Sequence, residues 1–228
     1  MHSANPKDTR QIRFYPEDPL PRGEIILLGT IHRAPILSSP LREILSKIRP
    51  RIITVEISPL SLRRRREKES QWLRQFDELS SRLPDHLARS PALSLFREAL
   101  RLPYEWRVAE ETASSLGIRA VPVDLNRFAR PHLKTLEGLL TPAGVEEIAH
   151  GLVNPLEKEW ALAVLSLRNR LVSSSSEDAR REEHVARRIT LLRERPLVHI
   201  CGWRHLPGLM KLLPRAEGVF FSPPQKFK

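Results

Sequence analysis

A single cysteine, Cys201, in 228 residues excludes an intrachain disulfide framework and suits a reducing compartment. No stretch approaches the roughly 20 uninterrupted apolar residues that a membrane-spanning helix needs. The opening "MHSANPKDTRQIRFYPEDPLPRGE" lacks the apolar segment of a secretory signal, so a cytoplasmic protein is expected. Acidic residues are the scarcer sign, 27 against 38 Lys and Arg, which leaves a formal charge of +11. Such an excess attracts nucleic acid, anionic lipid or an acidic ligand. Helix-turn-helix, KH, OB and RRM signatures are missing, however, and no aromatics interleave with the arginine run 63–66, so nucleic acid is not an expected partner. Glutamates alternate with arginines in "RRRREKES" and "ARREEHVARR", a pattern of i,i+4 pairing on solvated helices.

What is present suffices for a core. Apolar residues make up 40% of the chain, with four Trp and seven Phe as anchors, so a disordered chain is not expected. Residues 1–22 read as a proline-rich N-terminal arm and 23–228 as one α/β domain. Short apolar strands are expected at 24–28, 51–57, 118–125, 196–200 and 218–221. Between them lie helical patterns from near Ser39 to Arg49, at 60–83, from Pro91 to Leu102 and from Glu105 to Leu116. Further helices are expected after Thr141 and Pro142, at 155–172, from Glu177 to Glu194 with Ser176 as its cap, and from near Pro207. Strands alternating with helices predict a mainly parallel sheet with flanking helices. Ligands of such sheets gather beyond the carboxyl ends of the strands.

Two strand ends match. Gly29-Thr30-Ile31-His32 and Gly202-Trp203-Arg204-His205 share one form: a strand, a glycine, two residues, a histidine, then a turn into a helix. Glycine there permits a sharp exit and a close approach to the backbone, so Gly29, Gly202 and the neighbouring Trp203 are candidate cleft-lining residues. Trp203 has two readings, a wall of the cleft or packing beneath it. Glu56 and Asp124 stand late in two other strands, where a charge is costly to bury unless it is paired, hydrogen-bonded or metal-bound. Two imidazoles and two carboxylates on one rim suit a divalent transition metal with open positions for water. Trp72, Trp106 and Trp160 read as core, His199 as structural and Cys201 as a buried thiol.

These motifs resemble the TraB/PrgY/GumN family, which is related to the TIKI-type metalloproteases and more distantly to the erythromycin esterase and ChaN-like proteins. The likeness covers about residues 24–213 and rests on "IILLGTIH", "KIRPRIITVEI", "PYEWRVAEETASSLGIRAVPVD", "REEHVARRI" and "VHICGWRHLPGL". It implies two βα-rich halves around a shared cleft, with His32, Glu56, Glu105, Asp124, Arg181 and His205 as its functional residues. Glu182, where the family often has Asn or Asp, is a departure, as is Leu125 in place of a common Arg. The function implied is metal-dependent hydrolysis of a peptide or of an amide or ester bond. His32, His205 and Asp124 would hold a divalent ion (Mn, Co or Zn), and Glu56 or Glu105 would serve as general base. Arg181 would orient a carboxylate or stabilise an oxyanion. A metal-free alternative uses His32 and Glu56 as an acid–base pair. The competing class is a protein that binds a peptide or an anionic small molecule without turnover.

Overall fold

The computed structural model describes residues 12–151, 156–169, 171–172 and 175–221. Strand β2, Ile25–Thr30, runs through the middle of the sheet, and from Ile26 onward every residue is buried. Burial on both faces is the rule in parallel sheets covered by helices, which explains the unbroken apolar run. With β1 (Arg13–Tyr15), β3 (Ile52–Val55), β4 (Arg119–Pro122), β5 (Leu197–Gly202) and β6 (Ala216–Phe221) it forms one six-stranded sheet of order β1-β6-β2-β5-β3-β4. All five strand pairings are parallel. The expected two halves interleave in it: β5, from the C-terminal part of the chain, lies between β2 and β3. That insertion sets the two Gly-x-x-His strand ends side by side.

Two expectations need correction here. The N-terminal arm is not free of the core, because residues 13–15 form the edge strand β1 and Phe14 packs edge-to-face on Phe220 at 6.1 Å. Three residues followed directly by a proline are too short to display a period. The strands also do not stop before their glycines. Gly29 pairs with Cys201 and Thr30 with Gly202, so both glycines lie inside the ladder.

Helices close both faces and build one further wall. Helix α1 (Ser38–Ile48) follows a 3₁₀ turn, Pro35–Leu37, so Leu37 rather than Ser39 stands at its cap. Helix α2 (Pro59–Ser80) starts on Ser58, whose hydroxyl accepts the Ser61 N–H at 3.0 Å. It is followed by α3 (Asp85–Ala88), α4 (Pro91–Leu100) and α5 (Tyr104–Leu116). Helix α6 (Asn126–Gly138) has no counterpart in the sequence reading: it lacks a side-chain cap and carries Pro131 inside. Helix α7 (Pro142–His150) is capped by Thr141 as expected. Helix α8 spans Leu156–Arg168, and α9 (Ser176–Leu191) is capped one residue early, by Ser175 in a capping box with Asp178. Position 155 and the serines at 173 and 174 lie outside the described residues. Helix α10 (Leu206–Leu212) leads into β6.

Trp72, Phe76, Phe96, Leu100, Leu136 and Val145 form a second apolar cluster that holds α2, α4, α6 and α7 together beside the sheet. The arginine run on α2 does not pair along its own helix. Arg64 reaches Glu137 on α6 at 2.8 Å, Arg66 reaches Glu110 on α5, and Arg65 is buried. Among the described residues no helix is long and apolar enough to cross a membrane.

Candidate active site

His32 stands two residues beyond the end of β2. Its Nδ1 lies 2.8 Å from Oε1 of Glu105, in the first turn of α5. Glu105 is 3% exposed, and the same Oε1 accepts from the Thr30 hydroxyl at 3.2 Å. Its other oxygen, Oε2, is buried with no hydrogen-bond partner among the described residues. With Nδ1 turned to Glu105, the His32 ring presents Nε2 away from it, and 53% of the side chain is exposed. Burial of the ring works to lower its pKa, but the Glu105 bond and the charges of Glu105 and Glu56 outweigh that and raise it.

His205 ends the 3₁₀ turn Trp203–His205 that follows β5. Its side chain is 12% exposed and lies between two carboxylates. Nδ1 lies 3.0 Å from Glu182 Oε1 and Nε2 lies 3.2 Å from Glu56 Oε1. Burial opposes the charged form, yet hydrogen bonds to Glu182 and Glu56 raise the pKa to about 10. His205 is therefore an imidazolium at neutral pH.

Glu56, just past β3, is the hub. Its Oε2 accepts the Gly202 N–H at 2.8 Å, and its Oε1 takes Nη2 of Arg181 at 2.7 Å as well as His205. Arg181, on α9, also bonds both oxygens of Asp124, at 2.8 and 3.3 Å, and lies 5.6 Å from the Phe128 ring centre. Burial pushes the Glu56 pKa up, but His205, His32 and Arg181 hold it well below the usual carboxylate range. So firmly ionised a carboxylate is a poor proton acceptor. This departs from the general-base role expected of Glu56, and Glu105 is committed to holding His32.

The paired glycines admit each other's motif. A Cβ on Gly202 would come within 2.6 Å of His32 Nε2, and one on Gly29 within 2.3 Å of the Leu206 side chain. Each glycine thus makes room for residues at or beyond the other motif's histidine. Gly29 itself does not line the cleft, because Leu206 and Trp203 cover it. Trp203 is buried beneath, with Arg204 stacked 5.2 Å from its ring centre, and is packing rather than wall. Gly202 contributes its N–H to Glu56 and a clear surface under His32.

A cavity of about 450 Å³ opens above this rim, and His32, Glu56, Glu105, Asp124, Arg181 and His205 all face it. Its opposite side is helical, with Arg65 of α2 and His132 of α6 among the lining groups. Sequence reasoning missed three contributors. Glu182, 4% exposed, looked like one more surface glutamate in an arginine-rich helix. Its carboxylate reaches His205 because Gly208 has no side chain; a Cβ there would sit 1.9 Å from Glu182 Oε2. That third glycine, six residues after Gly202, was the available signal. Arg65 and His132 offered none, since their setting depends on how the helices pack.

Among the described residues, no three His, Cys, Asp or Glu side chains stand in position to hold a metal ion. Their partners explain it. Asp124 gives both oxygens to Arg181, and His205 gives both ring nitrogens to carboxylates. The expected set of His32, His205 and Asp124 therefore does not fit a metal centre in this arrangement, whereas an orienting carboxylate behind a half-exposed imidazole fits acid–base work.

No family model, curated protein or solved structure matches the chain.

Proposed function

We propose that the cleft hydrolyses amide or ester bonds by acid–base chemistry centred on His32, a reading in keeping with the TraB/PrgY/GumN resemblance. The observation that carries it is the His32–Glu105 pair. A buried carboxylate 2.8 Å from Nδ1 fixes the tautomer of an imidazole that lines the cavity, its other nitrogen lying over Gly202. Nε2 takes a proton from water as the water oxygen attacks the carbonyl carbon. The same proton then passes to the departing nitrogen or oxygen as the old bond breaks. Glu105 stabilises the imidazolium formed in between. Arg181 and the His205 imidazolium set positive charge beside the developing oxyanion while Glu56 and Asp124 hold them in place.

The test is turnover of a panel of 4-nitrophenyl esters and peptide anilides by the full chain and by His32→Asn. Asparagine keeps a donor near the Nδ1 position but cannot carry the proton. Turnover lost in the variant, with an unchanged circular dichroism spectrum, supports the reading. Saturable binding without product by the wild type overturns it in favour of sequestration. Activity that chelation abolishes and Mn, Co or Zn restores would replace it with the metal-dependent route.

A further inference from the structure

The two sides of the cleft differ in charge balance. On the sheet side every cation has a carboxylate: His32 has Glu105, His205 has Glu56 and Glu182, and Arg181 has Glu56 and Asp124. On the helical side Arg65 has none. It lines the cavity, is 4% exposed, and its hydrogen bonds all go to neutral oxygens: Ser61 Oγ at 3.3 Å, Ala99 O at 2.5 Å and Arg101 O at 2.7 Å. These come from Nε and Nη1; among the described residues Nη2 donates to no protein group, and no carboxylate lies within ion-pair distance of this arginine. A buried guanidinium with only neutral partners is costly to keep. Burial first, and repulsion from Arg33, bring its pKa down to about 10 against the pull of Glu69, yet it stays charged at neutral pH.

Arg33 adds a second uncompensated charge. It directly follows His32, lines the same cavity, adopts a left-handed backbone with φ 60°, and makes no ion pair among the described residues. His132 lies within the field of both arginines. The acids beside Arg65 are already engaged: Glu98 is held by Arg101 at 3.2 Å, and Glu69 accepts the Leu102 N–H at 2.8 Å.

We infer that Arg65 and Arg33, with His132, form a subsite for an oxyanion of the substrate, so that the substrate class is a small amide or ester carrying a carboxylate or phosphate to one side of the scissile bond. This rests on the hydrolytic reading for the word "scissile" but not for the anion site itself. A cavity of about 450 Å³ suits a molecule of that size, and Arg33 ties the anion subsite to the reacting imidazole through a single peptide bond. With Nε and Nη1 of Arg65 engaged, its Nη2 is the donor left for an oxyanion to accept from.

Binding is tested apart from turnover. Isothermal titration of the full chain with N-acetyl-L-alanine and, separately, with inorganic phosphate distinguishes the two anions. Wild type should bind one of them, and Arg33→Asn and Arg65→Gln should each weaken it about 10- to 100-fold, the worth of a hydrogen bond to a charged group. Asparagine tolerates the left-handed backbone at 33, so that variant stays informative if Arg65→Gln fails to fold. No binding of either anion, or equal binding by wild type and Arg33→Asn, overturns the subsite. Turnover is then compared for N-benzoylglycyl-phenyllactate and its methyl ester, expecting a preference of similar size for the free carboxylate if the carboxylate is the anion bound. Equal turnover of both esters with no anion binding sinks the subsite alone. Anion binding that both variants weaken, with no turnover of any compound, sinks hydrolysis and leaves the subsite standing.

Discussion

The two Gly-x-x-His strand ends begin alike and finish differently. Each follows a central parallel strand, and each directs Nδ1 at a buried glutamate, Glu105 for His32 and Glu182 for His205. After that they part. His32 sits in irregular chain with 53% of its side chain exposed, whereas His205 sits in a helical turn, 12% exposed, with Glu56 against its second nitrogen. One carboxylate leaves an imidazole free to exchange a proton. Two carboxylates make it a fixed cation with a pKa near 10. The motif thus determines where each ring is anchored, while the chemistry is set by what stands on the far side of the ring.

The largest expected effect separates the two histidines by activity. His32→Asn should lower kcat/KM by about 10²- to 10⁴-fold, the usual worth of a general acid–base group. Its melting temperature should stay close to wild type, since the donor to Glu105 is kept. His205→Asn should do the reverse and act first on stability. It leaves Glu56 and Glu182 buried with one cation fewer, a loss of about 3–5 kcal/mol by denaturant titration. If His205→Asn melts like wild type while His32→Asn unfolds, the assignment of roles is inverted.

A smaller effect concerns pH. His205 has a folded pKa of about 10 against an ordinary value of 6.5, so its stabilising contribution is complete below 6.5 and fades as pH rises toward 10. His32, also raised, acts in the same direction. Glu56 acts in the opposite one: its pKa is depressed, so its contribution is present above the ordinary 4.5 and is lost as pH falls below that. Wild-type melting temperature should therefore fall between pH 6.5 and 10, and His205→Asn should flatten that slope. An identical slope in wild type and variant would show that the contact with two carboxylates does not govern His205.

How much of this could be read beforehand follows from range in sequence. The strands, the parallel sheet and the meeting of His32 with His205 were legible because they rest on local apolar runs and on a repeated motif. The polar residues Glu56, Asp124 and Arg181 were placed on the rim by position, but not their partners. That Arg181 takes both acids, and that Glu56 is a hub rather than a base, depends on separations of 125 and 57 residues. Glu182 was hidden by its neighbours: a buried glutamate in "ARREEHVARR" is indistinguishable from its solvated companions until α10 packs against α9. Arg65 was hidden in the same way, within a run of four. Helix α6 was lost to Pro131, and β1 to its length of three residues.

The smallest expected effect tests the comparison at its root, by changing only the carboxylate behind each ring. In Glu105→Gln the amide oxygen still accepts from Nδ1, so the tautomer holds and plateau turnover should stay within about tenfold of wild type, the cost of a charge-assisted bond made neutral. What should move is the acid limb of the pH–rate profile. His32 acts as a base only when neutral, and Glu105 is a cause of its raised pKa, so removing that charge brings the limb down to lower pH. Glu182→Gln removes the equivalent charge behind His205, which keeps Glu56 and takes no part in the proton transfer; its limb should coincide with wild type. A limb that shifts equally in both variants would mean that the rings titrate as one unit, and the division between a mobile proton at His32 and a fixed charge at His205 would have to be abandoned.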